Sequence, residues 1–523
     1  MRLIFMTLCF GFVLLSSCKG ESDKTRIPEE QQQTEQTDLY TEKFRPQFHF
    51  SPPEKWMNDP NGLVYHDGIY HLFYQYYPED IVWGPMHWGH AVSEDLVSWK
   101  NKPIALYPDK FGYIFSGSAV VDKTNSSGFG TLENPPLVAM FTYHSDERVK
   151  LGTNDHQTQG IAYSLDNGDT WTKYEGNPVI GNEGMMDFRD PKVFWHNGLE
   201  KWVLILVAGD YALFYHSDNL KDWELKSEFG KNRGAHGGVW ECPDLFKLPV
   251  ENGETEKWVL LISINPGGPH GGSATQYFVG DFDGTTFTTD QKDIKWLDLG
   301  ADNYAGITFN NAPTDDRLFI GWMSNWLYAQ KVPTKTWRSA MTLPRTLKLF
   351  TDNNDYYLKN YPIEAFDDQH YNSKTMAAIN LEAPVTIENS NFNASDIRFM
   401  MNLSEHLRLE FSNANNDTLV FQLSPKTSEI IVNREQSGQV DFEPNFANNI
   451  QPQFYQPQNR MVEVRLIMDA ASLEIFIDKG KYAITNTMFP SEPYTSLTIE
   501  SEDGNTLENL TITDVKSIWN NEK

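Results

Sequence analysis

Three segments of this 523-residue chain place a carboxylate immediately before a proline or one residue further back: NDPNGLVY at 58–65, RDPKVFW at 189–195 and ECPDLFK at 241–247. Each precedes a short apolar run by 11 to 17 residues, so Asp59, Asp190 and Glu241 fall at nearly the same point of a recurring unit. Like charges gathered in one concave place cost stability and push at least one pKa upward. Two carboxyls with separated pKa values can work on a glycosidic bond, one protonating the leaving oxygen while the other attacks or activates water. The other chemistry open to three carboxylates is a divalent cation such as magnesium or calcium, bound through oxygen. The chain has neither a DxDxDG loop nor HExxH. Around the carboxylates stand aromatics and amides, among them Trp56, Asn58, Gln75, Trp83, Phe115 and Trp326. Sugar rings offer CH-rich faces to aromatic rings and hydroxyls to amides, so this mixture suits a carbohydrate pocket. Gln75 also fits a purely structural amide capping the edge of a sheet.

Bringing these residues together requires a repeated scaffold. Five apolar runs start at Tyr70, Leu137, Trp202, Trp258 and Leu318, separated by 67, 65, 56 and 60 residues. The first four are each followed by a second marker ending in an aromatic: SEDLVSW at 93–99, SLDNGDTW at 164–171, SDNLKDW at 217–223 and GDFDGTTF at 280–287. A unit of this length with several short strands and no amphipathic helix matches one blade of a propeller. The expectation is an all-β protein with a five-bladed β-propeller over residues 44–350, a polar linker at 351–368 and a β-sandwich over 369–523. Period-two alternation in Val462, Val464, Leu466 and Met468 supports the sandwich. The innermost strand of each blade faces the central channel, so equivalent positions converge on the axis.

With 71 acidic and 43 basic residues the chain carries a formal charge of −28, which disfavours nucleic acid and anionic membrane surfaces as partners. Its start reads as a secretory signal: about a dozen apolar residues after Met1-Arg2, too few to span a bilayer, ending in the lipobox Leu15-Ser16-Ser17-Cys18. The resemblance to bacterial lipoprotein signals implies lipid on Cys18. Residues 1–18 are expected as signal and lipobox and 19–43, poor in apolar groups, as a flexible tether. The protein is expected to be exported and lipid-anchored, on the periplasmic face or the cell surface, touching the membrane through that lipid alone. Cys242 reads as a small core residue in preference to a thiol nucleophile.

WMNDPNG at 56–62, WGPMHWGHAVSEDLVSW at 83–99, FSGSAV at 115–120, FRDP at 188–191, ECPD at 241–244 and SNW at 324–326 together resemble the ordered motifs of glycoside hydrolase family 32, the invertases, inulinases, levanases and fructan β-fructosidases. The resemblance implies Asp59 as nucleophile at the anomeric carbon of a fructofuranosyl unit, Glu241 as acid/base and Asp190 as transition-state stabiliser. It also implies substrate contacts from Asn58, Gln75, Trp83, Phe115, Ser116, Arg189 and Trp326. No cofactor and no metal are called for, and a monomer is expected. The activity so implied is exo-acting release of fructose from levan, inulin or sucrose. An endo-levanase, or a fructan-binding lipoprotein that has lost catalysis, are the alternatives.

Overall fold

The computed structural model describes residues 39–519 apart from 252 and 254. Cys18 and most of the expected tether lie outside the described residues. Among the described residues, five antiparallel sheets follow one another along the chain as blades I to V. Their innermost strands are Lys55–His66, Tyr113–Val121, Arg189–His196, Val239–Pro249 and Tyr304–Thr308. The apolar runs form the second strand of each of blades I to V, and they are buried on both faces. In Lys201–Ala208, Leu204 and Leu206 pack toward blade II while Val203 and Ile205 pack toward blade IV, the alternation of a strand with a neighbour on each side. Every interface between consecutive blades is an apolar cluster of this kind. The ring closes where Trp337–Arg338 pairs in parallel with Lys55 and Trp56 of blade I.

The expected linker at 351–368 is corrected by the structure. Arg345–Asp352 and Asp355–Pro362 form the outer hairpin of blade V, and a single 3₁₀ helix, Glu364–Gln369, leads on to the next domain. Asn353 and Asn354 make the two-residue turn with φ of 51° and 64°, a conformation that asparagine tolerates and that suits a tight hairpin. Leu358, Asn360 and Pro362 are buried at alternate positions, so the polar appearance of the stretch comes from a half-exposed outer strand.

From His370 onward, two six-stranded antiparallel sheets form a sandwich. Ile397, Phe399, Leu466 and Ile475 of one sheet meet Leu409, Phe421 and Ile499 of the other. The first sheet is buried on its second face as well, where Ile467, Phe476 and Ala483 join the propeller core beside Leu72, Ile320 and Trp322. Charged groups are sealed into this seam. The Arg345 guanidinium bonds Asp298 at 3.0 Å and Glu474 at 2.7 Å, and all three are buried. His49 lies against Asp469 at 2.8 Å. Burial opposes charge on His49, but its bonds to Asp469 and Glu474 prevail and raise its pKa to about 9. Removing one partner of such a sealed pair leaves an uncompensated charge, typically costing about 3–5 kcal/mol. The two domains therefore share one continuous interior.

Candidate active site

Each innermost strand breaks its ladder register near its N-terminal end. The irregularities fall between Met57 and Pro60, Ile114 and Gly117, Arg189 and Lys192, Glu241 and Asp244, and Tyr304 and Ile307. A β-bulge bends a strand and re-aims its side chains, and here it does so five times around one axis. Proline suits these places because it has no N–H to give to a ladder; Pro60, Pro191 and Pro243 occupy three and glycines the other two. Asp190, Cys242 and Ala305 hold φ of 63°, 45° and 53°, left-handed conformations that cost of order 1–3 kcal/mol each and gather at functional sites.

Aligning the bulges sorts the axial side chains into two layers. The upper contains Asn58, Phe115, Arg189, Glu241 and Tyr304; the next contains Asp59, Ser116, Asp190, Cys242 and Ala305. Contacts run mainly within layers. Arg189 donates to Glu241 Oε1 at 2.9 Å and to Asp187 at 2.6 Å, and its Nε lies 3.8 Å from Asp190. The Tyr304 hydroxyl donates to the other oxygen of Glu241. One layer down, Ser116 donates to Asp59 Oδ2 at 2.7 Å, and the Cys242 backbone N–H to Asp190 Oδ2 at 3.0 Å. Asn58 links the layers by donating to Asp59 Oδ1 at 3.0 Å, its own carbonyl fixed by the Trp56 indole N–H at 2.8 Å. Below them Lys192 donates to Asp244 at 3.1 Å and to the Thr308 carbonyl at 2.7 Å, a buried pair on the next turn of the same strands.

Burial is the largest influence on Asp59, raising its pKa, and the charge of Glu241 raises it further; the bonds from Ser116 and Asn58 work the other way. Asp190 is raised to about 7, again chiefly by burial, with Arg189 opposing and Glu241 and Asp59 adding. Burial opposes charge on Arg189, but Glu241, Asp190 and Asp187 hold it firmly protonated. Burial, and then the charges of Asp190, Asp59 and Glu241, push the Cys242 thiol well above its usual range. Its sulfur lies 3.6 Å from Asp59 and 3.7 Å from Asp190, so it stands among the carboxylates as a neutral thiol. A thiolate nucleophile is disfavoured here.

Asp59 with Asn58 and Ser116, and Glu241 with Arg189 and Asp190, thus form two directly contacting groups that the Cys242 sulfur bridges. Trp326 is half-buried, stacked on Trp56 at 5.8 Å and tilted against Trp322 at 4.9 Å. Trp83, 38% exposed, meets the edge of Phe115 at 6.1 Å. Gln75 is buried and donates to the Ile114 carbonyl at 3.1 Å, tying blade I to blade II. Tyr304 escaped the sequence reading. It sits 14 residues before the fifth apolar run, in phase with the carboxylates, and alignment on carboxylates alone passes over it.

Carboxylates held in distinct surroundings beside a fixed guanidinium provide for acid–base and nucleophilic work on a glycoside. The fold and site are those of a β-propeller glycosidase. The chain belongs to glycosyl hydrolase family 32, whose N-terminal domain matches residues 49–362 and whose C-terminal domain matches residues 353–514. It is 44% identical over 493 residues to a levanase of Bacillus subtilis (strain 168), covering 92% of this chain and 72% of that one. It is 40% identical to an extracellular exo-inulinase of Aspergillus niger, covering 92% and 96%. The crystal structure of exo-inulinase from Aspergillus awamori superposes with a TM-score of 0.84 at 38% identity, covering 92% of this chain and all of that one. A fructofuranosidase from Schwanniomyces occidentalis complexed with fructosylnystose superposes at 0.82 with 33% identity, covering 92% and 99%.

The hydrogen bond from Ser116 favours the charged form of Asp59. Hydrogen bonds to charged groups contribute about 1.5–3 kcal/mol, so Ser116→Ala is expected to lower kcat/KM by about ten- to a hundredfold. Without that bond the carboxyl protonates more readily, and the acid limb of the pH–kcat/KM profile moves to higher pH. A limb that stays in place or moves down contradicts this assignment.

Proposed function

We propose that the protein is an exo-acting, retaining β-fructosidase that releases fructose from the ends of fructans such as levan and inulin, and from sucrose. Asp59 attacks the anomeric C2 as the bond from C2 to the leaving oxygen breaks. Glu241 gives its proton to that oxygen, leaving a fructosyl ester on Asp59. Glu241 then takes a proton from water as the water oxygen attacks C2 and frees Asp59. Asp190 accepts hydrogen bonds from the ring hydroxyls, which favours its ionised form in the complex. Arg189 offsets the repulsion among the carboxylates. C2 of a ketose is fully substituted and its oxocarbenium-like cation forms readily, so the protein chiefly has to position carboxylates and supply a proton.

The observation that carries this reading is the convergence of two carboxyls on one buried axial site, close enough for the charge of Glu241 to raise the pKa of Asp59. Glu241 lies between a guanidinium and a phenol, whereas Asp59 is held by a hydroxyl and an amide. The names of its relatives, levanase, exo-inulinase and an invertase of Schizosaccharomyces pombe at 36% identity, support the substrate class. A binding protein without catalysis has no need of this paired arrangement.

Chromatography of early products from levan, inulin and sucrose tests the reading. Fructose as the first product of each polymer is expected, and a ladder of oligosaccharides contradicts exo action. Asp59→Ala and Glu241→Ala are each expected to lose at least about a thousandfold in rate on sucrose while remaining folded. Retention of most activity by either refutes the roles given.

The signal and lipobox support export with lipid on Cys18. Expressed in a bacterium that processes lipoproteins, the protein is expected in the membrane fraction and its Cys18→Ala variant in the soluble fraction. Equal membrane association of the two contradicts anchoring at Cys18.

A further inference from the structure

Trp326 belongs to the segment Asn325–Arg338, which runs from the second strand of blade V to the strand that closes the ring. Asn325 turns the segment's start. Its side-chain N–H groups reach the carbonyls of Ala301 at 2.9 Å, Gly271 at 3.3 Å and Ser273 at 3.4 Å, and its Oδ1 accepts the Leu327 N–H at 3.0 Å. The Trp326 N–H is held by the Ser273 hydroxyl at 3.0 Å. Gly272 makes this approach possible, since a Cβ there would lie 2.2 Å from Asn325 Oδ1.

Both sides of this loop pair are tied to the sandwich. At the tip of the 266–272 turn, His270 Nε2 donates to the Leu299 carbonyl at 2.8 Å. Its Nδ1 accepts the backbone N–H of Gln451, in the sandwich, at 3.0 Å. Two residues beyond Trp326, the Tyr328 hydroxyl donates to Asp302 at 2.6 Å and accepts from Arg434 Nη2 at 2.7 Å. Arg434 projects from the sandwich strand Glu429–Gln436 and is fully buried. It also donates to Asp302 Oδ2 at 2.6 Å, the Thr487 carbonyl at 2.9 Å and the Phe446 carbonyl at 2.8 Å. Its guanidinium lies 3.9 Å over the Phe446 ring. A planar fork with this many fixed partners has one geometry available, so the Tyr328 hydroxyl has one position and the backbone of Trp326 is anchored from the second domain.

We propose that the sandwich is a working part of the sugar subsite, and that Arg434 is a positioning residue that sets Trp326 through Tyr328. This rests on the reading of Trp326 as a contact of the terminal fructose. Arg345 serves as its internal contrast: it is the same residue type, equally buried in the same seam, and bonds Asp298, Glu474 and Thr485 with no contact to the Trp326 segment.

The experiment measures kcat and KM on sucrose, together with urea midpoints, for Arg434→Met, Tyr328→Phe, Arg345→Met and Trp326→Ala. Arg434→Met is expected to raise KM about tenfold with kcat within about twofold, and Tyr328→Phe to raise KM about threefold. Arg345→Met is expected to lose comparable stability with KM unchanged. Tyr328→Phe keeps the ring and removes a single hydroxyl, so it decides the matter if Arg434→Met does not fold. Wild-type KM in Tyr328→Phe and in any folded Arg434→Met overturns the proposal, and so does an equal rise in Arg345→Met. If Trp326→Ala itself leaves KM unchanged, the subsite reading of Trp326 fails, which the same data distinguish from a failure confined to Arg434.

Discussion

Mutual repulsion of carboxylates in a buried place is the constraint on which the rest of this structure depends. Two like charges about 4 Å apart repel by about 4 kcal/mol at an effective dielectric of about 20, and burial raises the cost of each charge further. Asp59, Asp190 and Glu241 persist together because Arg189 reaches two of them and because Ser116, Asn58, Tyr304 and the Cys242 backbone supply donors. The cost is distributed unequally. Burial raises both Asp59 and Asp190, while the guanidinium lies nearer to Glu241 than to Asp190.

That arrangement depends in turn on the bulges. A regular strand alternates its side chains between two faces, and the innermost strand of a blade has neighbouring blades on those faces. Breaking the ladder turns side chains toward the axis, and repeating the break five times creates layers. The positive φ values at Asp190, Cys242 and Ala305 are held by the apolar interfaces between blades and by the seam with the sandwich, which shares its interior with blades I and V.

Much of this was legible in the sequence. The phase of five buried strands specified the blades, since a strand buried on both faces must be a continuous apolar run. The phase of the prolines brought out Asp59, Asp190 and Glu241. What stayed hidden had physical reasons. The outer hairpin of blade V is half-exposed and turns through Asn353-Asn354, so it reads as a polar connection. Tyr304 is in phase but carries no carboxylate. Cys242 contributes mainly a backbone N–H, which no side-chain pattern advertises. Arg434 lies 106 residues from its partner Tyr328, and only the folded chain brings them together.

The proposed mechanism has two carboxyls acting from opposite faces of the anomeric carbon, in two successive displacements through a fructosyl ester on Asp59. The configuration of the first product tests it most directly, by rapid NMR of fructose released from sucrose before mutarotation. β-Fructofuranose is expected first, with other forms growing in later. Initial appearance of the α-anomer would mean single displacement by water and would contradict it.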